Sequence, residues 1–408
     1  MRRLYYGWVI VGAAFTIMMV GFGVAYMFAA FFESLESEFA ASRGDISMVF
    51  SICGLLYFML GAVSGPLADR IGPRLVIGAG MILIALGLAL ASQATALWQV
   101  YLTYSLAVGL GVGFSYVPAV AVVTRWFVRH RGAAAGIAVA GIGVGTMIGA
   151  PLAAALIAWS DWRTTYLVLA VASLVLGLGA TALLHARPED RGLHPDGAAV
   201  PAAAGSGAGD GLALGEALRS RLFHVYYLSA ALLSLGLFVP FVHLAKYAAD
   251  HGLGEATGVV MISLIGVGSM LGRFLLGGLA DRWGRLATMT AMYFGLAVMD
   301  LWWLLADAGW ALALFAVVYG VFYGGFVALA PALTTDYFGG RAASGIIGVL
   351  YTGPGIGAFV GPLAAGWTYD LTGSYTPVIL AMALCSVAAG LLIMTLPRPT
   401  PQLANGRT

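Results

Sequence analysis

The residue with the clearest chemical potential is Arg273, in the stretch GSMLGRFLLGGLADRWGR at 268–285. Its neighbours are mostly glycine and hydrocarbon side chains until Asp281. An arginine keeps its charge at physiological pH, and its planar guanidinium can bind both oxygens of a carboxylate at once. The sequence therefore places a permanent cation suited to carboxylate binding inside an apolar segment.

The composition indicates what surrounds this arginine. The chain is 61% hydrophobic and 9% charged, with a mean hydropathy of +0.93, whereas soluble domains carry about 25% charged residues. About 20 apolar residues cross a bilayer as a helix, and these runs lack the two-residue alternation of a barrel strand. We predict an all-α membrane protein with twelve transmembrane helices. The predicted spans are 8–32, 46–67, 74–92, 97–124, 132–159, 163–185, 222–248, 256–280, 286–306, 309–335, 342–368 and 374–396.

The depth of Arg273 follows from helix geometry. Eight residues separate it from Asp281, a rise of about 12 Å, so we expect it near the membrane midplane. An arginine there costs at least about 2.5 to 3.5 kcal/mol on insertion scales, which indicates a function. Ser269 and Gly277 share its helix face and leave room for a substrate. The alternative is a structural ion pair, for which Asp300 in the predicted ninth span is the deepest acid.

The positive charges predict the topology. Most of the twenty lysines and arginines fall at the termini or in the even-numbered loops, which by the positive-inside rule places both termini in the cytoplasm. Arg43, Arg163 and Lys246 lie near the other face. We expect a protein of the plasma membrane, the inner membrane of a bacterium, with a monomer as the functional unit.

Several functional classes are disfavoured. Cys53 and Cys385 lie in apolar spans and are interpreted as packed residues rather than a disulfide or metal pair. The spans hold no grouping of histidine, cysteine and acid typical of an enzyme, so we expect no catalytic activity, metal or cofactor. The net charge of +2 does not indicate nucleic acid as a partner, so the lipid bilayer is the expected environment.

The chain contains an internal duplication. GPLADRIGPR at 65–74 recurs as GGLADRWGR at 277–285, and RWFVRHRGAAAG at 125–136 matches DYFGGRAASG at 336–345. We therefore predict two six-helix bundles in parallel orientation, at 1–185 and 222–408. The linker between them, 186–221, includes the flexible stretch AVPAAAGSGAG. Two similar bundles suit alternating access.

Further polar residues lie at depths where they could contact a substrate. A lone tyrosine is more often a packed ring, and a lone histidine is equally well explained by a structural hydrogen bond. His243 follows Pro240, which is expected to free a carbonyl and bend its helix. Together with Arg273 and Ser269, the candidate substrate contacts are Tyr26, Tyr116, His243, Tyr323 and Tyr351, and the candidates for proton coupling are His243 and Arg273.

Two other patterns have a structural and a functional interpretation. The charges of the repeated motif lie at the predicted cytoplasmic edge, where ion pairs across the bundle interface would hold one conformation. These predicted gating residues are Asp69, Arg70, Arg74, Asp281, Arg282 and Arg285. The spacing of Gly141, Gly145 and Gly149 predicts close helix packing in lipid.

Twelve spans, a central loop and G-x-L-A-D-R-x-G after spans 2 and 8 resemble the major facilitator superfamily over nearly the whole chain. YYGWVIVGAAF at 5–15 and RWFVRHRGAAAGIAVAGIGVG at 125–145 resemble signatures of the monocarboxylate transporters, including their bacterial oxalate and formate exchanging relatives. The resemblance implies that Arg273, which matches a substrate-contacting arginine on span 8, binds the substrate. It also implies gating by the repeated motif.

The chain departs from this pattern in three places. Ser269 stands where the family often has an aspartate, VAYMFAAFF on span 1 has no lysine, and LYTGPGIGAFVGP on span 11 lacks the lysine of oxalate exchangers. One buried cation suits a monocarboxylate. We therefore expect a secondary active transporter of lactate-like or pyruvate-like anions, with proton symport by rocker-switch alternating access. The alternatives are an oxalate/formate type anion exchanger and a proton-driven drug exporter.

Overall fold

The computed structural model describes residues 5–197 and 211–399, which fold almost entirely into helices. Apart from an isolated bridge between Gly211 and Gly339, no β pairing occurs among these residues. The first nine helices are α1 Gly7–Tyr26, α2 Phe32–Phe39, α3 Arg43–Met59, α4 Gly61–Ile71, α5 Pro73–Ala91, α6 Leu97–Val100, α7 Gly109–Trp126, α8 Arg131–Trp159 and α9 Trp162–Leu183. The others are α10 Leu214–Arg219, α11 Arg221–Leu237, α12 Val239–Asp250, α13 Glu255–Trp283, α14 Arg285–Leu304, α15 Gly309–Phe338, α16 Ala343–Thr372 and α17 Thr376–Met394.

Each of the twelve predicted spans is helical. Ten helical segments among the described residues are long and apolar enough to cross a membrane, or eleven if α3 and α4, bent by 50° at their junction, count as one span. The segment outside this set is α14, which coincides with the predicted ninth span and buries Asp300. The all-α membrane architecture is confirmed, although length and composition identify ten or eleven spans instead of twelve.

The chain divides into two compact units. The first comprises Met1–Ser34 and Ile52–Gly205, and the second comprises Leu35–Ser51 and Ser206–Thr408. The predicted division also falls in the central linker. The structure differs from it at Leu35–Ser51, which the prediction assigned to the first bundle and the structure groups with the second. Helix α3 therefore begins in the second unit and ends in the first.

In the first unit, glycines bring α1 and α8 into close contact. A Cβ atom at Gly141 would lie 2.3 Å from the carbonyl oxygen of Phe15, and one at Gly145 would lie 2.3 Å from that of Met19. Any side chain would push the helices apart. The close packing predicted from the glycine spacing is confirmed.

The second unit uses the same packing for α13 and α15. A Cβ at Gly272 would lie 2.0 Å from the carbonyl oxygen of Val321, and one at Gly324 would lie 2.0 Å from that of Ser269. Backbone contact this close holds the helix that carries Arg273 firmly against α15.

A break divides the seventh predicted span. Helix α11 ends at Leu237, α12 begins at Val239, and Pro240 lies at the start of α12. Proline lacks a backbone N–H, so the carbonyl four residues earlier, that of Gly236, loses its usual helical donor. The hydroxyl of Tyr319 donates to the neighbouring Leu237 carbonyl at 3.0 Å. The interruption expected at Pro240 is observed.

The described parts of the linker dock on their own units. Asp196 accepts hydrogen bonds from the backbone N–H groups of Val128 at 3.0 Å and Arg129 at 2.7 Å. On the other side, the N–H of Leu212 donates to the Phe338 carbonyl at 2.9 Å. The flexible stretch predicted at 199–209 lies outside the described residues.

Candidate functional site

Arg273 is buried in the middle of α13, with 6% of its surface exposed. Ser269, one turn earlier, is 2% exposed, and a Cβ at Gly277, one turn later, would meet nothing within 4 Å. The Arg273 side chain thus lies in the protein interior, with a small buried hydroxyl one turn before it and an open position one turn after it. Anion binding by this residue stays a prediction from the sequence.

The acids that could neutralise Arg273 have other contacts. Asp300 on α14 is 2% exposed and accepts a hydrogen bond from Ser386 on α17 at 3.1 Å. Asp370 accepts the backbone N–H groups of Arg43 at 3.0 Å and Gly44 at 2.8 Å. Among the described residues, therefore, Asp300 takes its hydrogen bond from a serine of α17 and not from Arg273.

Tyr323 on α15 is placed by aromatic contacts from the broken span. Its ring lies 5.0 Å from Phe241 and 6.3 Å from Phe238, both in edge arrangements. The next residue on α15, Gly324, packs against Ser269. The structure thus brings Tyr323 close to the turn that precedes Arg273. Phe238 and Phe241 were not predicted; their position beside Pro240 is the signal that could have indicated them.

Two predicted contacts, Tyr26 and Tyr116, belong to the first unit. Phe22 joins them, with ring centroids 5.8 Å from Tyr26 and 5.3 Å from Tyr116, and it also meets Tyr57 at 5.5 Å. Tyr351, the remaining predicted tyrosine, lies on α16 in the second unit and is 8% exposed.

His243 lies on α12 and has no exposed surface. Its Nδ1 is 3.1 Å from the hydroxyl of Tyr375, and its Nε2 is 2.9 Å from the Pro362 carbonyl and 3.1 Å from the hydroxyl of Ser47. The ring is therefore held by groups from three other parts of the second unit.

An ion pair adjoins this histidine. Arg43 donates from two nitrogens to the two carboxylate oxygens of Asp250, at 2.5 and 2.8 Å, and to Tyr375 at 3.0 Å. Its guanidinium also lies 3.7 Å above the ring of Tyr369. We call Arg43, Ser47, His243, Asp250, Tyr375 and the Pro362 carbonyl the Arg43 cluster. Sequence reasoning did not identify this cluster, although cations at Arg43 and Lys246, away from the predicted cytoplasmic face, were a signal.

The predicted gating residues are mostly exposed. Asp69, Arg70, Arg74, Asp281 and Arg282 are exposed, and Arg285 is half-buried. The ion pairs that involve them lie inside single units: Arg125 donates to Asp69 in the first, and Arg285 to Asp336 in the second.

One apolar groove in the first unit is separate from all these residues. Its volume is about 480 Å³, and it lies between α1 and α9, where Thr16 is its polar side chain. It contains none of the predicted site residues. No grouping of histidine, cysteine and acidic residues that could hold a metal occurs in the part of the chain that the structure describes.

Comparison with known proteins agrees with this architecture. The model of the Major Facilitator Superfamily matches residues 13–299 and 261–408, and the chain belongs to this superfamily of membrane transporters. It is a transporter and not an enzyme.

The similar proteins are monocarboxylate transporters. The chain is 29% identical to monocarboxylate transporter 12-B of Danio rerio over 416 residues, which cover 96% of this chain and 87% of that protein. It is 28% identical to monocarboxylate transporter 13 of Rattus norvegicus, with 96% and 89% covered. It is also 28% identical to monocarboxylate transporter 2 of Homo sapiens, with 95% and 85% covered.

Proposed function

We propose that the chain transports small monocarboxylate anions of the lactate or pyruvate type together with a proton, by rocker-switch alternating access. The observation that carries the proposal is the buried Arg273, on a helix fixed by backbone contact with α15. The relatives support it because their names describe monocarboxylate transport. The charge distribution favours a plasma membrane protein, the inner membrane in a bacterium, with both termini cytoplasmic.

In this proposal the guanidinium of Arg273 binds both carboxylate oxygens of the substrate. Ser269, Tyr323 and Tyr351 supply hydrogen bonds or shape the site, and Tyr26, Tyr116 and His243 remain proposed contacts from the sequence. Neutralising one buried charge with another lowers the cost of moving the loaded carrier. The loaded form therefore changes conformation more readily than the half-loaded form, which is the basis of coupling.

Uptake of labelled lactate into proteoliposomes tests the proposal, with and without an inward proton gradient. Arg273→Lys retains the charge but loses the planar fork, so we expect at least a tenfold loss of affinity, the effect of about 1.5 to 3 kcal/mol for a hydrogen bond to a charged group. Arg163→Lys is the matched control, because Arg163 donates to the Ala94 carbonyl in the first unit. Undiminished saturable transport in Arg273→Lys would contradict carboxylate binding by this residue.

The same assay distinguishes the second candidate function, exchange of oxalate-like or formate-like anions. Exchange would be indifferent to the proton gradient and would depend on anion inside the vesicles. The single arginine of span 8 and the absence of lysine from span 11 favour symport of a monocarboxylate. In the symport model His243→Gln abolishes accumulation driven by the gradient, whereas retained accumulation would exclude His243 as the proton carrier.

A further inference from the structure

The Arg43 cluster contains a directed chain of hydrogen bonds. The Pro362 carbonyl can only accept, so Nε2 of His243 carries a hydrogen. When the ring carries this one proton, Nδ1 accepts from the hydroxyl of Tyr375, whose oxygen accepts in turn from Arg43. For a neutral His243 the chain therefore runs from Arg43 through Tyr375 to the ring.

The charges around His243 disfavour a second proton on the ring. A second proton on the ring would add a positive charge one tyrosine away from a guanidinium, in a buried site where like charges repel strongly. The guanidinium also satisfies both oxygens of Asp250. Five other ionisable groups pack around the cluster: Glu36, Lys246, Asp370, Tyr369 and Tyr247. Glu36 and Lys246 form an ion pair at 2.6 Å.

Arg43 and Ser47 differ from the rest of the cluster in their place in the chain. They lie on α3, whose residues up to Ser51 group with the second unit, while residues from Ile52 group with the first. His243, Asp250, Tyr375 and Pro362 lie in the chain after residue 206. A movement of the first unit in alternating access therefore acts on Arg43 through a continuous helix.

We propose that a proton and the Arg43 guanidinium alternate as the positive charge of this cluster. This inference rests on the proposed proton coupling. When residues 35–51 withdraw, Tyr375 loses its donor, Ser47 leaves His243, and Asp250 loses its guanidinium. Nδ1 of His243 then takes a proton from hydronium in the water that enters, and the resulting N–H donates a hydrogen bond to the oxygen of Tyr375. When Arg43 returns, its charge drives this proton from Nδ1 to water on the side of the membrane that is then open.

The exchange of charges gives the cluster a function in transport. Closing requires the proton to leave the cluster, and opening allows one to bind, so proton uptake and conformation are thermodynamically linked. The cluster then acts as a proton site separate from Arg273, which explains how coupling persists although Ser269 replaces the family's aspartate.

Histidine NMR tests the inference without any transported substrate. The chain has six histidines, and His243→Gln assigns the signals of His243 in selectively labelled protein. We expect wild-type His243 to stay neutral from about pH 8 to about pH 5, and Arg43→Gln to raise its titration midpoint by about one pH unit or more. Arg163→Gln, which removes a cation of the first unit, should leave the midpoint unchanged. An unchanged midpoint in Arg43→Gln would overturn the inference.

Proteoliposomes supply a second measurement, the ratio of gradient-driven accumulation to lactate exchange. Arg43→Gln no longer expels the proton, so this ratio should fall about tenfold. The double variant with His243→Gln should lose no more than His243→Gln alone, because both residues act on one proton site. A lower ratio in the double variant than in His243→Gln would contradict a shared proton site. If the wild-type protein transports no monocarboxylate, the proposed function is wrong, and the NMR titration of His243 still tests the inference about the cluster. If the wild type transports lactate but Arg43→Gln leaves the titration midpoint of His243 unchanged, only the inference is wrong.

Discussion

Arg285 donates to Asp336 in the second unit, and in the first unit Arg125 donates to Asp69. Arg125 and Asp336 are corresponding positions of opposite charge, near the end of the fourth helix of their repeat, whereas Asp69 and Arg285 are different positions of the repeated motif. The duplication thus retains an ion pair between the motif and this helix, but the motif residue that forms it changes when the charge on the helix reverses. Each pair links the motif to a helix of its own unit.

Exchanging the charges of the second pair should preserve it. Arg285→Asp or Asp336→Arg alone should destabilise the protein by about 1 kcal/mol or less, because partly exposed pairs contribute little. The double variant should recover most of this loss, measured as the unfolding midpoint in detergent. Arg282→Asp, at an exposed motif position, is the control. A double variant as unstable as the combined single variants would show that the pair contributes no specific interaction.

Close packing of α13 against α15 should be required for substrate affinity. The Cβ of Gly324→Ala would overlap the Ser269 carbonyl, one turn from Arg273, and relieving such overpacking typically costs about 1 to 3 kcal/mol. We expect lower thermal stability and weaker lactate binding. Gly278→Ala adds the same methyl group to α13 where nothing lies within 4 Å, so it should fold normally and bind lactate as the wild type does. Equal behaviour of the two variants would contradict the role assigned to this contact.

Asp300 should be dispensable for proton coupling. Its contact is the hydroxyl of Ser386, and an amide of the same shape can accept that hydrogen bond. Asp300→Asn should therefore fold and retain gradient-driven accumulation in proteoliposomes. Ser386→Ala should cost about 1 kcal/mol of stability, as expected for one hydrogen bond. Loss of accumulation in Asp300→Asn alone would revive the exporter alternative, which needs a buried acid.

The turn at Asp196 should depend on pH. Burial raises the pKa of Asp196, but hydrogen bonds from the N–H groups of Arg129, Val128 and His130 outweigh burial, so its pKa lies below the ordinary value. A lowered folded pKa means that the stabilisation is complete above about pH 4 and is lost as the pH falls through the folded pKa.

Hydrogen exchange of the amides at 127–131 measures this effect. Asp196→Asn should accelerate their exchange at neutral pH, because a neutral amide accepts more weakly than a carboxylate. Asp190→Asn is the control, since Asp190 accepts the N–H of Arg187 within its own turn. Unchanged protection in Asp196→Asn would mean that other contacts hold the turn.

The sequence by itself determined the helical membrane architecture, the duplication and the position of Arg273 within an apolar segment. In lipid every backbone N–H and C=O group must form a hydrogen bond within the chain, and a helix provides these bonds inside a single segment. Long apolar runs therefore fold as helices. The glycine spacing of α8 likewise predicted close packing, because residues four apart share a helix face. These properties depend on local order along the chain, which the sequence displays directly.

Only the tertiary structure decided which side chains meet. From the sequence, Asp300 could have formed an ion pair with Arg273. The packing of α14 against α17 instead places it where it accepts a hydrogen bond from Ser386. Arg43 and Asp250 stand 207 positions apart, and neither carries a local mark of the other. The helical period shows which residues share a face of one helix, but it does not show which face of another helix packs against them. The Arg43 cluster depends on this packing between distant parts of the chain.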